Sequence, residues 1–177
     1  MEVLEAIERR TSVRSYDETP VAEEKIEALL KMCYSAPSAG DLHPYKVVVV
    51  MERARKAALA SACHGQDFVA EAPVALVFFV DLRAAGQGYG RRGIELYSLL
   101  DVGAAIESMM LAAVDAGLGT CWVGAFDDQE VHELLDAPPD WRAVSVVSLG
   151  RASGSVRRRP PPPLEGKAYL DSCRNAW

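Results

Sequence analysis

Arginine and hydroxyl side chains are concentrated near the start of the chain. The seven residues from Arg9 to Ser15 include three arginines and three hydroxyl residues. Guanidinium groups donate paired hydrogen bonds to phosphate oxygens, and hydroxyl groups suit a polyhydroxy chain. The segment therefore predicts either a binding site for a phosphorylated ligand or an ordinary solvated basic turn.

A second segment, Ser35–Tyr45, contains two prolines, two serines and a glycine and leads into an apolar run. Pro37 and Pro44 fix φ and lack N–H donors, so the segment cannot continue a helix. Ala39 and Gly40 leave the backbone open to close approach by a ligand. Taken alone, this composition favours an ordinary helix-to-strand connection. The arginine segment that precedes it favours a ligand site.

The two segments, in this order, resemble the nitroreductase family of FMN-dependent oxidoreductases. Two later stretches are also similar to that family: Tyr97–Ile106 to its long central helix, and Gly117–Phe126 to its flavin-facing strand and turn. The resemblance implies an α+β fold with three α-β-α layers around a mixed, mainly antiparallel sheet. It also implies a homodimer with flavin sites at the subunit interface.

The resemblance further implies which residues bind FMN. Arg10 and Ser12 would hold phosphate or ribityl oxygens, and Arg14 would lie near the pyrimidine edge of the flavin. Residues 37–39 would come from the opposite subunit, and the backbone of Gly124 and Ala125 would face flavin N5 and O4. The full implied set is Arg10, Thr11, Ser12, Arg14, Pro37, Ser38, Ala39, Asp41, Val123, Gly124, Ala125, Arg158 and Arg159.

Two parts of this set leave alternatives open. The run Arg157–Arg159 is either a solvated charge run or the source of one arginine that meets the phosphate. Asp41 stands where the family has asparagine, and an ionised carboxylate accepts hydrogen bonds but cannot donate them. We therefore expect an atypical flavin redox potential. His43, in the family's glutamine position, and Tyr89 are predicted to line the substrate site, with His43 facing solvent at its rim.

The implied activity is a ping-pong cycle. NADH or NADPH would reduce flavin N5 and leave, and a nitroaromatic, quinone or related conjugated acceptor would then be reduced. No catalytic side chain is expected, because the flavin carries the hydride chemistry. Two alternatives remain: a flavin-fragmenting or reductive-dehalogenating enzyme on the same scaffold, and a non-catalytic flavin or nucleotide sensor.

Composition sets the broader limits. A chain of 177 residues with half of them apolar suits one domain. The resemblance implies an FMN-binding part, residues 1–150, and a C-terminal extension, residues 151–177, that reaches onto the partner subunit. A net charge of −6 argues against a nucleic-acid partner. Four dispersed cysteines and no signal-like or membrane-spanning run predict a cytoplasmic protein without a metal site.

Apolar periodicity predicts five helices and four strands. The helices are 3–8, 20–32, 53–62, 94–116 and 127–135, and the strands are 45–51, 73–80, 120–123 and 143–149. The helix over 94–116 is apolar on nearly all sides, so we expect part of it to be buried against a partner subunit.

The sequence from Gly88 to Gly93 fits Gly-x-Gly-x-x-Gly, yet it lies too far from the preceding strand to bind a dinucleotide. We expect a flexible loop there. Larger members of the resembled family carry a helical excursion that covers the pocket, and the fifteen residues between Asp81 and Tyr97 are too few for it, so we expect an open pocket.

Overall fold

A computed structural model describes residues 1–156, 158 and 160–177. The helices are α1 (Val3–Arg9), α2 (Glu23–Tyr34), α3 (Arg53–Ala62), α4 (Phe68–Glu71), α5 (Leu82–Arg92), α6 (Ser98–Asp115) and α7 (Asp128–Leu134). The strands are β1 (Tyr45–Val50), β2 (Val74–Asp81), β3 (Gly119–Val123) and β4 (Trp141–Gly150). A 3-10 turn covers Ala39–Asp41, and a π-helical turn, Gly93–Tyr97, joins α5 to α6.

The strands form one sheet in the order β1-β2-β4-β3, with every neighbouring pair antiparallel. A single parallel bridge, Ser12 to Thr120, adds the mixed character that the sequence predicted. The β-branched and aromatic runs of β1 and β2 predict strands that are buried on both faces. Strand β2 is buried on both faces. The prediction is wrong for the middle of β1, which is partly exposed because β1 lies at the sheet edge.

Helices cover both faces of the sheet and give three layers. Alternate side chains of β2, such as Leu76 and Phe78, pack into one core with α2 and α6. Their neighbours Val77 and Phe79 pack into a second core with α3, α4 and α7. The period-two alternation of a strand supplies both cores from one sequence run. The predicted three-layer α+β architecture is confirmed.

Gly117 marks the C-terminal end of α6. Gly117 has φ of 73°, and its N–H donates to Val114 O at 3.1 Å. The N–H of Leu118 donates to Ala113 O at 2.8 Å. These two bonds form a Schellman motif, which satisfies carbonyls that a helix end leaves unpaired.

The predicted loop at Gly88–Gly93 is wrong, because these residues belong to helix α5 and the turn after it. Helix geometry breaks at Tyr89 (φ −140°) and Gly90 (φ 55°) and then resumes. Gly93 packs so tightly that a Cβ there would lie 2.2 Å from Ala85 O. Gly93 therefore permits close packing between α5 and the turn that follows it.

The helical stretch Leu82–Asp115 is long and apolar enough to cross a membrane on length and composition alone. In this fold, 44% of its most apolar 18-residue segment is buried inside the protein. Residues such as Ile106 and Met109 pack on the sheet. A core helix passes the same composition test, so the stretch gives little evidence of a membrane span.

Candidate functional site

A cavity of about 800 Å³ opens beside the arginine segment. Its walls come from the end of α1, from the chain after α1 and from the chain after β4. The lining residues are Ile7, Glu8, Arg10, Thr11, Ser12, Val13, Arg14, Ser15, Ser153, Ser155, Val156, Arg158 and Pro161. The volume lies within the range of small-ligand sites, roughly 300–1,000 Å³.

Backbone pairing places the arginine segment along the sheet. The N–H of Val13 donates to Thr120 O of β3 at 2.9 Å. On the other side, the N–H of Ser153 donates to Ser15 O at 3.0 Å. The hydroxyls of Ser15 and Ser153 are 2.8 Å apart. Residues distant in sequence thus lie together at the edge of the cavity. The segment after β4 contributes to the cavity within the same chain.

The cavity carries an excess of positive charge. Arg10, Arg14 and Arg158 line it, and Glu8 is the one acidic residue among the described lining residues. The Arg14 guanidinium lies 5.8 Å from the centre of the Phe68 ring, a cation–π contact. Arg10 Nε lies 3.7 Å from Glu107 Oε1 of α6. Such an arrangement of guanidinium and hydroxyl groups suits a ligand with a phosphate and a polyhydroxy chain.

Buried groups close to the cavity remain neutral. Burial raises the pKa of the Cys121 thiol and raises the pKa of Tyr16 well above its usual range. The Tyr16 hydroxyl donates to Val13 O at 2.7 Å and lies 2.7 Å from Ser148 Oγ. Both side chains are therefore un-ionised at neutral pH.

The loop after α2 forms a separate surface. Asp101 Oδ1 of α6 accepts a hydrogen bond from the Ala39 N–H at 3.0 Å, and Ser38 Oγ accepts one from the His43 N–H at 3.0 Å. The Asp41 side chain is 93% exposed. No residue of this loop lines the cavity described above in the same subunit.

The expected solvent-facing position of His43 is wrong. Its side chain is 20% exposed, and Nε2 lies 3.1 Å from Ala36 O. Its φ of 44° turns the backbone so that the ring folds back over the loop. His43 therefore stabilises the loop from within.

Tyr89 lies beside the loop after α2. A Cβ on Gly40 would lie 2.6 Å from Tyr89 Oη, so the tyrosine covers the backbone that was expected to be open to ligand. The Tyr89 ring also makes an edge contact with Tyr97, at a centroid distance of 5.3 Å. Its exposed fraction of 45% leaves part of the ring in solvent.

The remaining predicted residues follow strand β3. Val123 is buried in the second core, while Gly124 and Ala125 are exposed just beyond the strand. Gln66 Nε2 donates to Ala125 O at 3.1 Å, which fixes that turn. These residues do not line the cavity within one subunit. Arg157 and Arg159 lie outside the described residues.

Comparison with known proteins identifies the fold and the family. The model of the family described as "Nitroreductase family" matches residues 7–66 and 55–151, which include the arginine segment, the loop after α2 and β3. The chain belongs to the nitroreductase family. The structure of the hypothetical oxidoreductase YcnD from Bacillus subtilis superposes with a TM-score of 0.88 at 27% identity. That match covers 97% of this chain and 75% of the other.

Curated relatives have oxidoreductase and related names. An FMN reductase [NAD(P)H] of Bacillus subtilis is 28% identical over 98% of this chain and 75% of its own length. A putative NADH dehydrogenase/NAD(P)H nitroreductase of Archaeoglobus fulgidus is 32% identical over 84% of each chain. A 5,6-dimethylbenzimidazole synthase of Rhodospirillum rubrum is 31% identical over 80% of this chain and 77% of its own.

Sequence reasoning missed several residues of this nitroreductase-family site. Ser153, Ser155, Val156 and Pro161 line the cavity, although the sequence placed them in an extension directed at the partner. Their position depends on pairing between distant segments, for which the sequence holds no local signal. Asp101 could have been found, since it is one of few charges on an apolar helix. Among the described residues, no group of three His, Cys, Asp or Glu side chains is arranged to hold a metal ion.

Proposed function

We propose that this protein is an FMN-dependent oxidoreductase that takes hydride from NADH or NADPH and reduces a nitroaromatic, quinone or related conjugated acceptor. Membership of the nitroreductase family supports an NAD(P)H-dependent flavin oxidoreductase. The observation that carries the choice of FMN is the cavity lined by three arginines and by the hydroxyls of residues 11, 12, 15, 153 and 155.

The lining residues fit FMN in size and in chemistry. Arg10, Arg158 and the serine hydroxyls would hold the phosphate and the ribityl chain. Arg14 would lie toward the ring, where its positive charge favours a negatively charged reduced state. When bound, the flavin would supply the hydride acceptor and donor that no side chain of this fold provides.

The protein's own groups would orient the flavin ring and complete its binding site. Gly124 and Ala125 follow β3 in an exposed turn, so their backbone would be available to the ring edge. Cys121 and Tyr16, whose pKa values are raised by burial, are neutral at pH 7 and add no negative charge beside the cofactor. The loop after α2, which lies apart from the cavity of its own subunit, would complete the site of a second subunit.

We further propose a homodimer, because large apolar side chains are exposed on three neighbouring elements. We take as the proposed interface Val3, Leu4 and Ile7 of α1, Leu96, Leu99 and Leu100 near the start of α6, and Trp122 of β3. Exposed apolar groups on this scale mark association surfaces.

Three buried free thiols and one exposed thiol suit a reducing compartment, so we place the protein in the cytoplasm.

Steady-state kinetics test the proposed activity. Initial rates with NADH or NADPH against a panel of nitroaromatic and quinone acceptors should give parallel double-reciprocal lines, the sign of a ping-pong cycle. Intersecting lines would reject the two-step cycle. No turnover with any acceptor, from protein that holds FMN, would reject the enzymatic proposal.

One relative supports a second candidate function. Because a 5,6-dimethylbenzimidazole synthase is 31% identical, a reaction that consumes the flavin itself is the alternative. The two activities differ in what remains after turnover. Chromatography of the flavin after many cycles should recover FMN intact for an oxidoreductase, whereas steady loss of FMN into an aromatic product supports the alternative.

A further inference from the structure

We propose that Asp101 is a positioning residue for the reaction: its carboxylate holds the loop after α2, residues 35–44, in the shape that this loop presents to the flavin site of the partner subunit. The inference rests on the proposed function, since it assumes a dimer that binds FMN. It adds a residue that does not line the cavity and that would act only through the loop.

Asp101 is an unusual residue for the interior of α6. It is 6% exposed and is the one buried carboxylate in the part of the chain that the structure describes. Within those same residues, no cation forms an ion pair with it. Burying a charge without a counter-ion is costly unless hydrogen bonds compensate. The bond from the Ala39 N–H at 3.0 Å supplies such compensation.

The loop needs an external contact to hold its shape. Gly40, Asp41 and His43 all have positive φ, at 60°, 57° and 44°. For the two residues that are not glycine, this conformation is sparsely populated and persists only where surrounding contacts hold it. The bonds of Ser38 and His43 lie within the loop and shape it locally. The bond from Ala39 to Asp101 joins the loop to a core helix and so fixes its position.

The same helix carries the apolar surface through which we propose that subunits associate. Asp101 follows directly after Leu99 and Leu100, which are 42% and 61% exposed. The loop presents exposed Pro37, Gly40 and Asp41. Asp101 therefore lies between the proposed subunit interface and a loop that does not reach the cavity of its own subunit.

Removing the hydrogen bond should weaken FMN binding without unfolding the protein. We expect Asp101→Ala to raise the FMN dissociation constant about tenfold, the effect of one lost buried hydrogen bond. Asp101→Asn should restore binding to within about threefold, because an amide oxygen still accepts from the Ala39 N–H. Asp115→Ala, on the same helix but exposed, is the matched control and should bind FMN as the wild type does. The visible absorption spectrum of bound flavin should change in Asp101→Ala only.

Mixed dimers separate positioning across subunits from a general loss of stability. Differently tagged chains carrying Arg14→Ala and Asp101→Ala are combined, and dimers with both tags are purified. If the loop serves the partner, both defects fall in one site and the other site is intact. We expect one FMN per dimer at wild-type affinity. Ala39→Pro removes the same hydrogen bond from the donor side and replaces Asp101→Ala if that variant does not fold.

Three results would overturn the inference. Wild-type FMN affinity and spectrum in Asp101→Ala would show that the bond does not position the loop. Equal defects in Asp101→Asn and Asp101→Ala would show that charge, and not the hydrogen bond, matters. Mixed dimers with no intact site would show that the loop does not act across subunits. Wild-type protein that binds no FMN would instead reject the proposed function, and this inference with it.

Discussion

Arg14 is the residue on which cofactor binding most depends in this account. It lines the cavity, and among the described residues no carboxylate forms an ion pair with it. Its charge is therefore available to a bound anion. Arg14→Ala should weaken FMN binding by about 1.5–3 kcal/mol, the value of a hydrogen bond to a charged group. Fluorescence titration of the apoprotein measures it.

Arg55→Ala is a suitable control for Arg14→Ala. Arg55 also carries a guanidinium, but it lies on α3 and donates to Glu52 and to Leu134 O. We expect its removal to leave FMN affinity unchanged. Equal affinity in the wild type and in Arg14→Ala would contradict the assignment of the cavity to FMN.

Asp41 offers a test of charge near the flavin ring that we propose lies in the partner subunit. Asp41→Asn removes one negative charge and adds a donor. Its φ of 57° lies in a region that both residues tolerate, so the backbone should stay unchanged. We predict a more positive midpoint potential by tens of millivolts, where about 30 mV corresponds to 1.4 kcal/mol for two electrons. Potentiometric titration with redox dyes measures it, and an unchanged potential would show that Asp41 points away from the ring.

At the residue scale, the clustering of side chains close in sequence was predicted better than the backbone conformation of the loop after α2. Arg10, Ser12 and Arg14 lie within five residues of each other, so their convergence on one cavity needed only a turn. The role of His43 was not predictable, because its contact with Ala36 O requires a positive φ. Tyr45, at the end of the same segment, is fully buried, and its hydroxyl donates to Cys33 O at 2.7 Å.

The end of α6 gives a prediction at the element scale. Gly117 has a φ of 73°, which a Cβ makes unfavourable. Gly117→Ala should lower the free energy of unfolding by about 1 kcal/mol, and Gly117→Asn by less, because asparagine tolerates this conformation. Urea unfolding curves measure both. A loss as large for asparagine as for alanine would mean that the backbone conformation is not the cause.

Helices and strands with a regular apolar pattern were predicted well, whereas the segment after β2, which contains several glycines, was not. Helix α3 has the predicted bounds, Arg53–Ala62. Helix α7 begins one residue after its predicted start, because Asp127 caps it by accepting from the Glu130 N–H at 2.9 Å. Helix α2 begins at Glu23, three residues later than predicted, and the short α4 was not predicted. Residues 88–93 were predicted as a loop because glycines lower helix propensity, whereas Gly93 allows the backbone to pack closely against Ala85.

At the scale of the whole molecule, α6 separates the core from the proposed interface. Ile106 is fully buried in the subunit, so Ile106→Asp tests folding and not association. Leu100, on the same helix, is 61% exposed. We expect Leu100→Asp to give folded, monomeric protein with weakened FMN binding, and Ile106→Asp to give unfolded protein. Light scattering and far-ultraviolet circular dichroism distinguish these outcomes. A dimeric Leu100→Asp that retains FMN would contradict the proposed interface.

The central claim is that this nitroreductase-family chain uses FMN to take hydride from a reduced nicotinamide. Purified protein, saturated with FMN and kept free of oxygen, is mixed with NADH and separately with NADPH while its visible absorption is followed. We predict that at least one of the two bleaches the flavin absorption fully, and that adding a quinone then restores it. Absorption unchanged by both nucleotides, in protein shown to contain FMN, would contradict the account.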